Sequence, residues 1–227
     1  MLEDRPLVFI PTYNEKGNIV KLYNQLKRLN INLDLLFIDD CSPDGSGQIL
    51  DQLASQDNNL NVIHRRRKLG IGSAHKEGIA WAYSNDYKIL ITMDSDFSHS
   101  PDKIEDFIRC SEENDVVVGN RYMHINSMVD LSIFRRVLSV TAHAMTNLFL
   151  RMPYDATNAY RLYRLDKIDI DLFEKVESDS YSYFFESLYV LYSNKISITE
   201  VPIKIGGRST GDSKMTFRDA LISVRIL

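Results

Sequence analysis

The segment "KILITMDSDFSHSP" (residues 88–101) joins a run of apolar residues to two acids, Asp94 and Asp96. A short apolar run that ends in polar residues is typical of a strand buried on both faces. Ligands of parallel α/β sheets collect at the carboxyl ends of the strands, so the two acids occupy a position that favours function. If the strand stays extended through them, their side chains point in opposite directions. We therefore expect one acid to face a ligand and the other to brace the loop.

The side chains around the two acids suit a hard divalent cation. Carboxylate oxygens and a nearby hydroxyl are ligands that Mg²⁺ or Mn²⁺ accepts. Two acids do not complete the coordination shell of such an ion, which favours a cation that arrives with a diphosphate over a permanent structural ion. His99 could ligate a softer metal, but a single histidine beside Pro101 is more often a structural or capping residue.

Short apolar runs alternate with amphipathic stretches on either side of this segment. The stretches near residues 15–29, 45–55, 72–84 and 101–112 predict helices. The runs between them are continuously apolar, as in a parallel sheet covered by helices, so we predict an α/β fold with a mostly parallel central sheet and helices on both faces. The runs that predict strands are "PLVFIP" (6–11), "LDLLFID" (33–39), "LNVIH" (60–64), "KILITMD" (88–94) and "DVVVGN" (115–120).

Four of these predicted strands end in polar residues. The ends read "PTYNE" (11–15), "DDCSPDG" (39–45), "DSDFSH" (94–99) and "GNRY" (119–122). A carboxylate at a single strand end is explained equally well as a helix N-cap. Four such ends in one sheet favour a shared site at its carboxyl edge.

Two segments carry basic residues near glycines. In "RRRKLGIGSAHKEG" (65–78), Gly70 and Gly72 open a helix, where backbone N–H groups can approach an anion. In "GGRSTGDSK" (206–214), a flexible segment with Arg208 and Lys214 could fold over a diphosphate and neutralise it as a leaving group. Solvated basic turns remain the simpler alternative for both segments.

The second half of the chain follows a looser pattern. Residues 134–150 predict a helix, "NAYRLYRL" a strand, "YSYFFESLYVLYS" a helix and "ISITEVPIKI" a strand, with a last helix from about Met215. The helix at 134–150 and the segment "MTFRDALISVRIL" combine arginines with apolar residues, so either could lie at a bilayer surface, although core packing is the commoner explanation. The chain has neither a repeat nor a low-complexity linker, so we expect residues 1–227 to form a single domain.

The composition excludes several classes of protein. The chain of 227 residues has 27 basic and 31 acidic residues and a formal charge of −4, so no overall field favours nucleic acid as a partner. Cys41 and Cys110 are too few for a disulfide framework and predict buried structural thiols in a reducing compartment. No run reaches the roughly 18 apolar residues of a membrane span, and the N-terminus lacks a secretory leader, so we expect a cytoplasmic protein.

Six of these strings together resemble one known family. "PTYNE", "DDCSPDG", "KLGIGSAHKEG", "DSDFSHSP", "GNRY" and "GGRSTGDSK" are similar, in order and spacing, to motifs of the inverting GT-A glycosyltransferases of the dolichyl-phosphate mannose synthase type, within glycosyltransferase family 2. The resemblance covers residues 6–219. It implies a Rossmann-like GT-A fold and the transfer, with inversion, of a sugar from a nucleotide diphosphate donor, commonly GDP-mannose, to a polyprenyl or dolichyl phosphate. It also implies Mg²⁺ or Mn²⁺ and a peripheral location at the cytosolic face of a membrane.

The resemblance also assigns residues by position. Those matching the family's donor-binding residues are Pro11, Tyr13, Glu15, Ile38, Asp40, Ser95, Asp96, Ser98, Arg121, Arg208 and Lys214. Asp96 and Ser98 match the residues that approach the metal, and Arg135 and Ser139 match the acceptor-phosphate site. The catalytic group implied in this way consists of Asp94, Asp96, Arg121, Arg208 and Lys214.

Two segments depart from the family pattern. "HINSMVDLSIF" (124–134) lacks the usual Gly-Gly-Trp, and "DATNAYR" (155–161) replaces a "D-x-T-(S/G)-G/S-F-R" string. Both lie on the sugar and acceptor side, so another donor such as UDP-glucose, another acceptor, or a non-catalytic nucleotide-sugar-binding module remain alternatives. A sugar nucleotidyltransferase is disfavoured because "PTYNEKGN" offers no Gly-rich phosphate loop with a lysine.

Overall fold

A computed structural model describes residues 5–123, 127 and 133–205. Seven strands form one sheet in the order β3-β2-β1-β4-β6-β5-β7, in which β6 runs antiparallel to both of its neighbours and the other pairs are parallel. The strands are β1 (Leu7–Thr12), β2 (Asp34–Asp39), β3 (Leu60–His64), β4 (Ile89–Thr92), β5 (Val116–Asn120), β6 (Arg161–Arg164) and β7 (Ile198–Pro202).

Helices connect most of the strands. They are α1 (Ile19–Arg28), α2 (Ser46–Ala54), α3 (Ile71–Ser84), α4 (Ile104–Cys110), α5 (Ile133–Leu150), α6 (Ile170–Glu174) and α7 (Tyr183–Ser193), with a 3₁₀ turn at Pro101–Lys103 before α4. This arrangement confirms the predicted α/β class with a mostly parallel central sheet. Sequence analysis missed α6, because a helix of five residues is too short to show a period.

Alternating side chains of the strands build two cores, one on each face of the sheet. In β1, Leu7 and Phe9 join the core under α3, α6 and α7, whereas Val8 and Ile10 join the core under α1, α2 and α4. All four side chains are completely buried. A strand buried on both faces must be apolar at successive positions, which explains why the runs read from the sequence show no polar alternation.

The antiparallel strand β6 brings an extra loop to the functional edge of the sheet. Its first residue, Arg161, pairs with Thr92 at the end of β4 and with Val118 near the end of β5. Because β6 runs the other way, the segment that precedes it, residues 155–160, arrives at the carboxyl ends of the parallel strands. The loop before β6 therefore lies beside the loops that follow the parallel strands.

The structure bears on the expectations for the two cysteines and for membrane-spanning segments. Cys41 is exposed in the turn after β2, with a φ of 62°, and Cys110 is partly exposed, so the prediction of two buried thiols is wrong. Within residues 5–123, 127 and 133–205, no helix is long and apolar enough to cross a membrane. The predicted helix from Met215 lies outside the described residues.

Burial of His75 ties helix α3 to the sheet and to α7. Its ring packs against Phe9, Tyr183 and Phe184, with ring centroids 5.0–5.4 Å apart, and is 1% exposed. The Nε2 atom has no hydrogen-bond partner among the described residues. Burial, and to a lesser extent the nearby charge of Arg161, lowers the pKa of His75 to about 3.

The lowered pKa of His75 predicts a pH dependence of stability. In the unfolded chain the group titrates at about 6.5, so the unfolded state binds the proton more readily, and stability is lost as pH falls from 6.5 towards 3. Between pH 7 and pH 5 this costs about 2 kcal/mol. We expect the His75→Phe variant to lose about 2 kcal/mol less over that interval, measured by urea unfolding at both pH values. Equal losses in the two proteins would show that His75 takes up its proton while folded.

Candidate active site

Hydrogen bonds fasten the loop after β1 to the loop after β2. The backbone N–H groups of Asn14 and Glu15 donate to the hydroxyls of Ser42 and Ser46, each at 2.9 Å, and the N–H of Lys16 donates to Asp44 at 3.0 Å. Burial would raise the pKa of Asp44, but its hydrogen bonds to Ser46 and Lys16 outweigh this and lower it. The two loops therefore form one preorganised wall at the carboxyl edge.

The residues predicted to bind the donor nucleoside differ in accessibility. Pro11 and Tyr13 are partly exposed, and Lys68 Nζ lies 4.0 Å above the centre of the Tyr13 ring. Glu15 is 8% exposed and accepts a hydrogen bond from Asn18 at 2.6 Å. Ile38 is completely buried in the core, so its side chain supports the wall from behind and does not line it.

Asp40 organises the loop between β3 and α3. Its carboxylate accepts hydrogen bonds from Arg65 Nη1 at 3.0 Å and from the backbone N–H groups of Leu69 and Gly70 at 2.9 and 3.2 Å. Arg65 also pairs with Glu77 at 2.8 Å and is 8% exposed. The basic residues 65–68 therefore have two different roles. Arg65 is a buried structural cation, whereas the next three residues are exposed.

The N-terminus of α3 is covered by protein, which corrects the expectation that its glycines serve an anion. A Cβ on Gly70 would lie 2.6 Å from the carbonyl oxygen of Asp179, and one on Gly72 would lie 2.8 Å from that of Ser180. The N–H of Ser73 donates to the Asp179 carbonyl at 3.3 Å. The glycines are needed for close packing of the segment before α7, and Gly70 also for its φ of 99°.

The two acids after β4 lie in a turn and not in an extended strand. The strand ends at Thr92, and Phe97 has a left-handed φ of 67°. Asp96 is 6% exposed and accepts hydrogen bonds from the N–H and hydroxyl of Ser98 at 3.0 and 2.6 Å, whereas the side chain of Asp94 is 29% exposed. The prediction that the side chains of Asp94 and Asp96 point in opposite directions assumed an extended strand, so it does not apply to this turn. Ser95 is buried beside them.

The donor set at this turn fits part of a hard-cation site. The carboxylates of Asp94 and Asp96 and the hydroxyl of Ser98 offer oxygen atoms within a span of five residues. Among the described residues, no group of three or more His, Cys, Asp or Glu side chains is arranged to hold a metal by itself. Both ring nitrogens of His99 are hydrogen-bonded within the fold, so the structure places it as a structural residue. A cation here would need ligands from a bound phosphate group.

Arg121, which follows β5, is held in place by Asp155. Its Nε and Nη2 atoms donate to the two oxygens of the Asp155 carboxylate at 2.7 and 2.6 Å, and Nη2 also contacts the hydroxyl of Thr157. Asp155 is completely buried. Burial alone would lower the pKa of Arg121, but the charge and hydrogen bonds of Asp155 raise it. Asp155 and Thr157 therefore fix the guanidinium of Arg121 through its Nε and Nη2 atoms.

Glu200, on β7, links two residues that position Arg121, namely Asn120 and Asp155. It accepts hydrogen bonds from the side chain of Asn120 at 2.8 Å and from the backbone N–H of Asp155 at 2.7 Å. Asn120 in turn accepts from the N–H of Met123 at 3.1 Å. Burial raises the pKa of Glu200, although these hydrogen bonds oppose the shift. The edge strand β7 therefore helps to set the turn that carries Arg121.

Helix α5 contacts the same turn through Ser139. The Tyr122 hydroxyl lies 2.8 Å from both the carbonyl oxygen and the hydroxyl of Ser139, and its ring stacks on His143 at 4.1 Å. Arg135 lies one turn earlier in α5, and its side chain is outside the part of the chain that the structure describes. Arg208 and Lys214 also lie outside the described residues.

Several side chains that shape this edge were missed by sequence analysis. Asp155, Thr157 and Asn158 belong to the "DATNAYR" segment, which was noted only as a departure from the family pattern. Glu200 carried no signal, because one acid in an apolar strand indicates no particular partner. A signal was available for Asp155, since a carboxylate before a strand of a mostly buried sheet needs a cation.

The buried pair of Arg121 and Asp155 predicts a large stability effect. We expect Asp155→Asn to destabilise the protein by about 3–5 kcal/mol, because it leaves a buried guanidinium without its counter-charge. The matched control is Asp166→Asn, which removes the partner of Arg164 in another doubly bonded pair whose side chains are 19% and 28% exposed. That change should cost about 1 kcal/mol or less. Urea unfolding gives both values, and similar costs would contradict the special status of the buried pair.

Comparisons with solved structures identify the fold. Mannosyl-3-phosphoglycerate synthase from Rubrobacter xylanophilus superimposes with a TM-score of 0.67 at 16% identity, over 98% of this chain and 71% of that one. Glucosyl-3-phosphoglycerate synthase from Mycobacterium tuberculosis, crystallised with Mn²⁺, UDP and glucosyl-3-phosphoglycerate, gives 0.62 at 14% identity over 92% of this chain and 74% of that one. These similarities confirm the predicted GT-A fold.

Sequence comparisons identify the family. Residues 7–169 match Glycosyl transferase family 2. The chain is 34% identical to a polyprenol monophosphomannose synthase of Mycolicibacterium smegmatis, over 97% of this chain and 85% of that protein. It is 32% identical to an undecaprenyl-phosphate mannosyltransferase of Micrococcus luteus, over 93% of this chain and 88% of that protein. The chain therefore belongs to glycosyl transferase family 2 and is a glycosyltransferase.

Proposed function

We propose that this enzyme transfers mannose from a nucleotide diphosphate sugar, with GDP-mannose as the expected donor, to a polyprenyl or dolichyl phosphate, with inversion at the anomeric carbon. The observation that carries the proposal is the 34% identity to a polyprenol monophosphomannose synthase over 97% of the chain. The proposal treats residues 1–227 as one catalytic domain.

The donor is assigned to the wall formed by the loops after β1 and β2. Tyr13 offers a partly exposed ring beside Lys68, and Pro11 lies next to it. Glu15 and Asp40 are carboxylates that can accept hydrogen bonds from N–H groups of a base. Because hydrogen bonds already fix both loops, little ordering is needed when the nucleoside binds.

Asp94, Asp96 and Ser98, with Ser95 beside them, are assigned to the diphosphate end of the donor. These oxygens would hold Mg²⁺ or Mn²⁺, a Lewis acid that when bound offsets negative charge on a departing diphosphate. The hydrogen bonds between Asp96 and Ser98 keep their oxygens together before any ligand arrives. Arg208 and Lys214 are proposed to add positive charge from the last part of the chain.

The acceptor is assigned to Arg121, Arg135 and Ser139. Arg121 is fixed through Nε and Nη2, so it can orient an incoming phosphate through Nη1 with little loss of conformational freedom. A phosphate monoester with a second pKa of about 6 is already mostly ionised at neutral pH. The acceptor can therefore act as its own nucleophile, and the site needs no general base for a single displacement.

Helix α5 is proposed to rest on the membrane that carries the acceptor. Its surface includes Val140, Leu148 and Phe149, which are 47%, 74% and 63% exposed, and Arg136 and Arg151 are exposed at either end of this group. An exposed apolar face flanked by arginines is typical of a helix that lies in a bilayer interface. We therefore propose that the protein works as a peripheral enzyme at the cytosolic face of the membrane.

The alternatives make different predictions for the donor. A transferase for UDP-glucose would use the same edge of the sheet, and a non-catalytic binding module would bind a donor without turning it over. Both relatives named above are named as a synthase or a transferase, which disfavours the binding module.

Incubation with labelled nucleotide sugars tests the donor and the reaction together. With Mg²⁺ or Mn²⁺ and a short polyprenyl phosphate, we expect label from GDP-mannose to move into the organic phase faster than label from UDP-glucose, GDP-glucose or UDP-N-acetylglucosamine. Transfer only from another sugar nucleotide would replace the proposed donor. If the protein binds the donor but neither transfers nor hydrolyses it, the protein is a nucleotide-sugar-binding module and not a transferase.

Substitution of Asp96 tests the cation site in the same assay. Asp96→Asn should lower kcat at least about 100-fold, as expected when a group that helps to stabilise developing charge is removed. The control is Asp102→Asn, which changes an exposed acid in the nearby 3₁₀ turn and should retain wild-type turnover. Near-normal rates for Asp96→Asn at saturating donor and metal would exclude the assigned role.

Vesicle flotation tests the membrane face of α5. The double variant Leu148→Asp, Phe149→Asp should lose most of its binding to phosphatidylglycerol vesicles, since it removes apolar contact and adds repelled charge. Val20→Asp, at a 43% exposed position on α1, is the control and should float as the wild type does. Equal flotation of all three proteins would remove α5 as the contact surface.

A further inference from the structure

The ring of His99 makes two hydrogen bonds that fix its orientation. The backbone N–H of Asp94 donates to Nδ1 at 2.9 Å, and Nε2 lies 3.0 Å from the side-chain oxygen of Asn158. A backbone N–H can only donate, so Nδ1 is the acceptor and Nε2 carries the hydrogen that goes to Asn158. His99 is 5% exposed, so both bonds are shielded from water.

The partners of His99 are themselves held by the sheet. Asn158, which is 3% exposed, donates through its side-chain nitrogen to the carbonyl of Gly119 on β5 and accepts from the N–H of Tyr160 at 3.2 Å. The Tyr160 ring stacks on His99 at 4.9 Å, and its hydroxyl donates to the Ser100 carbonyl at 2.9 Å. The imidazole is thus anchored to β5 and to the start of β6.

This anchoring reaches the backbone that carries the two acids. β4 ends at Thr92, so the sheet ladder no longer holds Asp94. The bond from Asp94 N–H to His99 closes a turn of six residues, in which Asp96 and Ser98 make their own hydrogen bonds. A shift of the imidazole would therefore move the start of the turn from which both carboxylates project.

We propose that His99 is a positioning residue: its Nδ1 atom fixes the Asp94 backbone so that the carboxylates of Asp94 and Asp96 are preorganised for a divalent cation. Asn158 selects the required tautomer by accepting the Nε2 hydrogen. The part that concerns the cation rests on the proposed function, whereas the contact between His99 and Asp94 does not. Groups that orient ligands in this way typically change metal affinity about 10–100-fold when they are removed.

Two variants separate the two ring nitrogens. In His99→Asn the amide oxygen can occupy the place of Nδ1 and still accept from Asp94, whereas in His99→Gln the amide reaches the place of Nε2 and leaves the Asp94 N–H without its acceptor. Both variants lose the ring that stacks on Tyr160, so their thermal unfolding midpoints should fall by similar amounts. A difference between the two variants in amide exchange or in Mn²⁺ affinity therefore reports the contact between His99 and Asp94.

Hydrogen exchange of the Asp94 amide, followed by NMR without metal or nucleotide, tests the contact itself. We expect exchange to rise at least 10-fold more in His99→Gln than in His99→Asn. Equal rates in the two variants would overturn the proposed role of Nδ1, whatever the enzyme transfers.

Binding of Mn²⁺ tests the consequence, with free Mn²⁺ read by electron paramagnetic resonance in the presence of GDP or, in parallel, UDP. We expect the Mn²⁺ Kd to rise about 10-fold or more in His99→Gln and less than 3-fold in His99→Asn. His64→Gln, at an exposed histidine at the end of β3 that pairs with Asp51 of α2, should bind as the wild type does. Equal weakening in both His99 variants would overturn the positioning role. Failure of the wild type to bind Mn²⁺ would remove the cation from the proposed function, and the exchange rates would still decide the contact.

Discussion

A carboxylate buried at the carboxyl edge of a sheet needs cations or N–H groups that compensate its charge. Asp40 and Asp155 both meet this requirement at the carboxyl edge of the sheet. Asp40 accepts hydrogen bonds from Arg65 and from two backbone N–H groups of the loop before α3. Asp155 accepts hydrogen bonds from two nitrogen atoms of Arg121. Each pair therefore fixes the loop that contributes the cation. Replacing a whole buried ion pair by apolar residues is often neutral for stability, whereas removing one partner leaves an uncompensated buried charge. We therefore expect each pair to act mainly by fixing the geometry of its loop.

The sequence predicted the strands well because burial on both faces leaves a local signal. It did not predict which strands are neighbours, and β6 shows the reason. Its pairing with β4 and β5 joins residues distant in the chain, and no periodicity encodes that choice. The same limit hid the contact between Arg121 and Asp155, which are 34 residues apart, and the one between Asn120 and Glu200, which are 80 apart.

The turn after β4 shows where a local rule stops being valid. Opposite directions for Asp94 and Asp96 follow only from extended backbone, and the strand ends before either residue. A left-handed φ at Phe97 is uncommon for a bulky side chain and depends on the surrounding structure. Here Phe97 packs against the core under α1 and α4, and His99 is held by Asn158. The two acids were thus found by their chemistry, but their arrangement is a product of tertiary contacts.

The placing of α5 relates the site to the proposed membrane surface. Ser139 contacts Tyr122 next to Arg121, whereas Val140, the next residue, is exposed on another side of the helix. Successive residues of an α-helix are rotated by about 100°, and the helix with its side chains is about 10–12 Å across. A polyprenyl phosphate has one polar end and one long apolar part, so it needs a fixed cation and a lipid surface within a short distance. A single helix that touches the Arg121 turn on one side and is apolar on another can meet both needs, because its own width sets the separation.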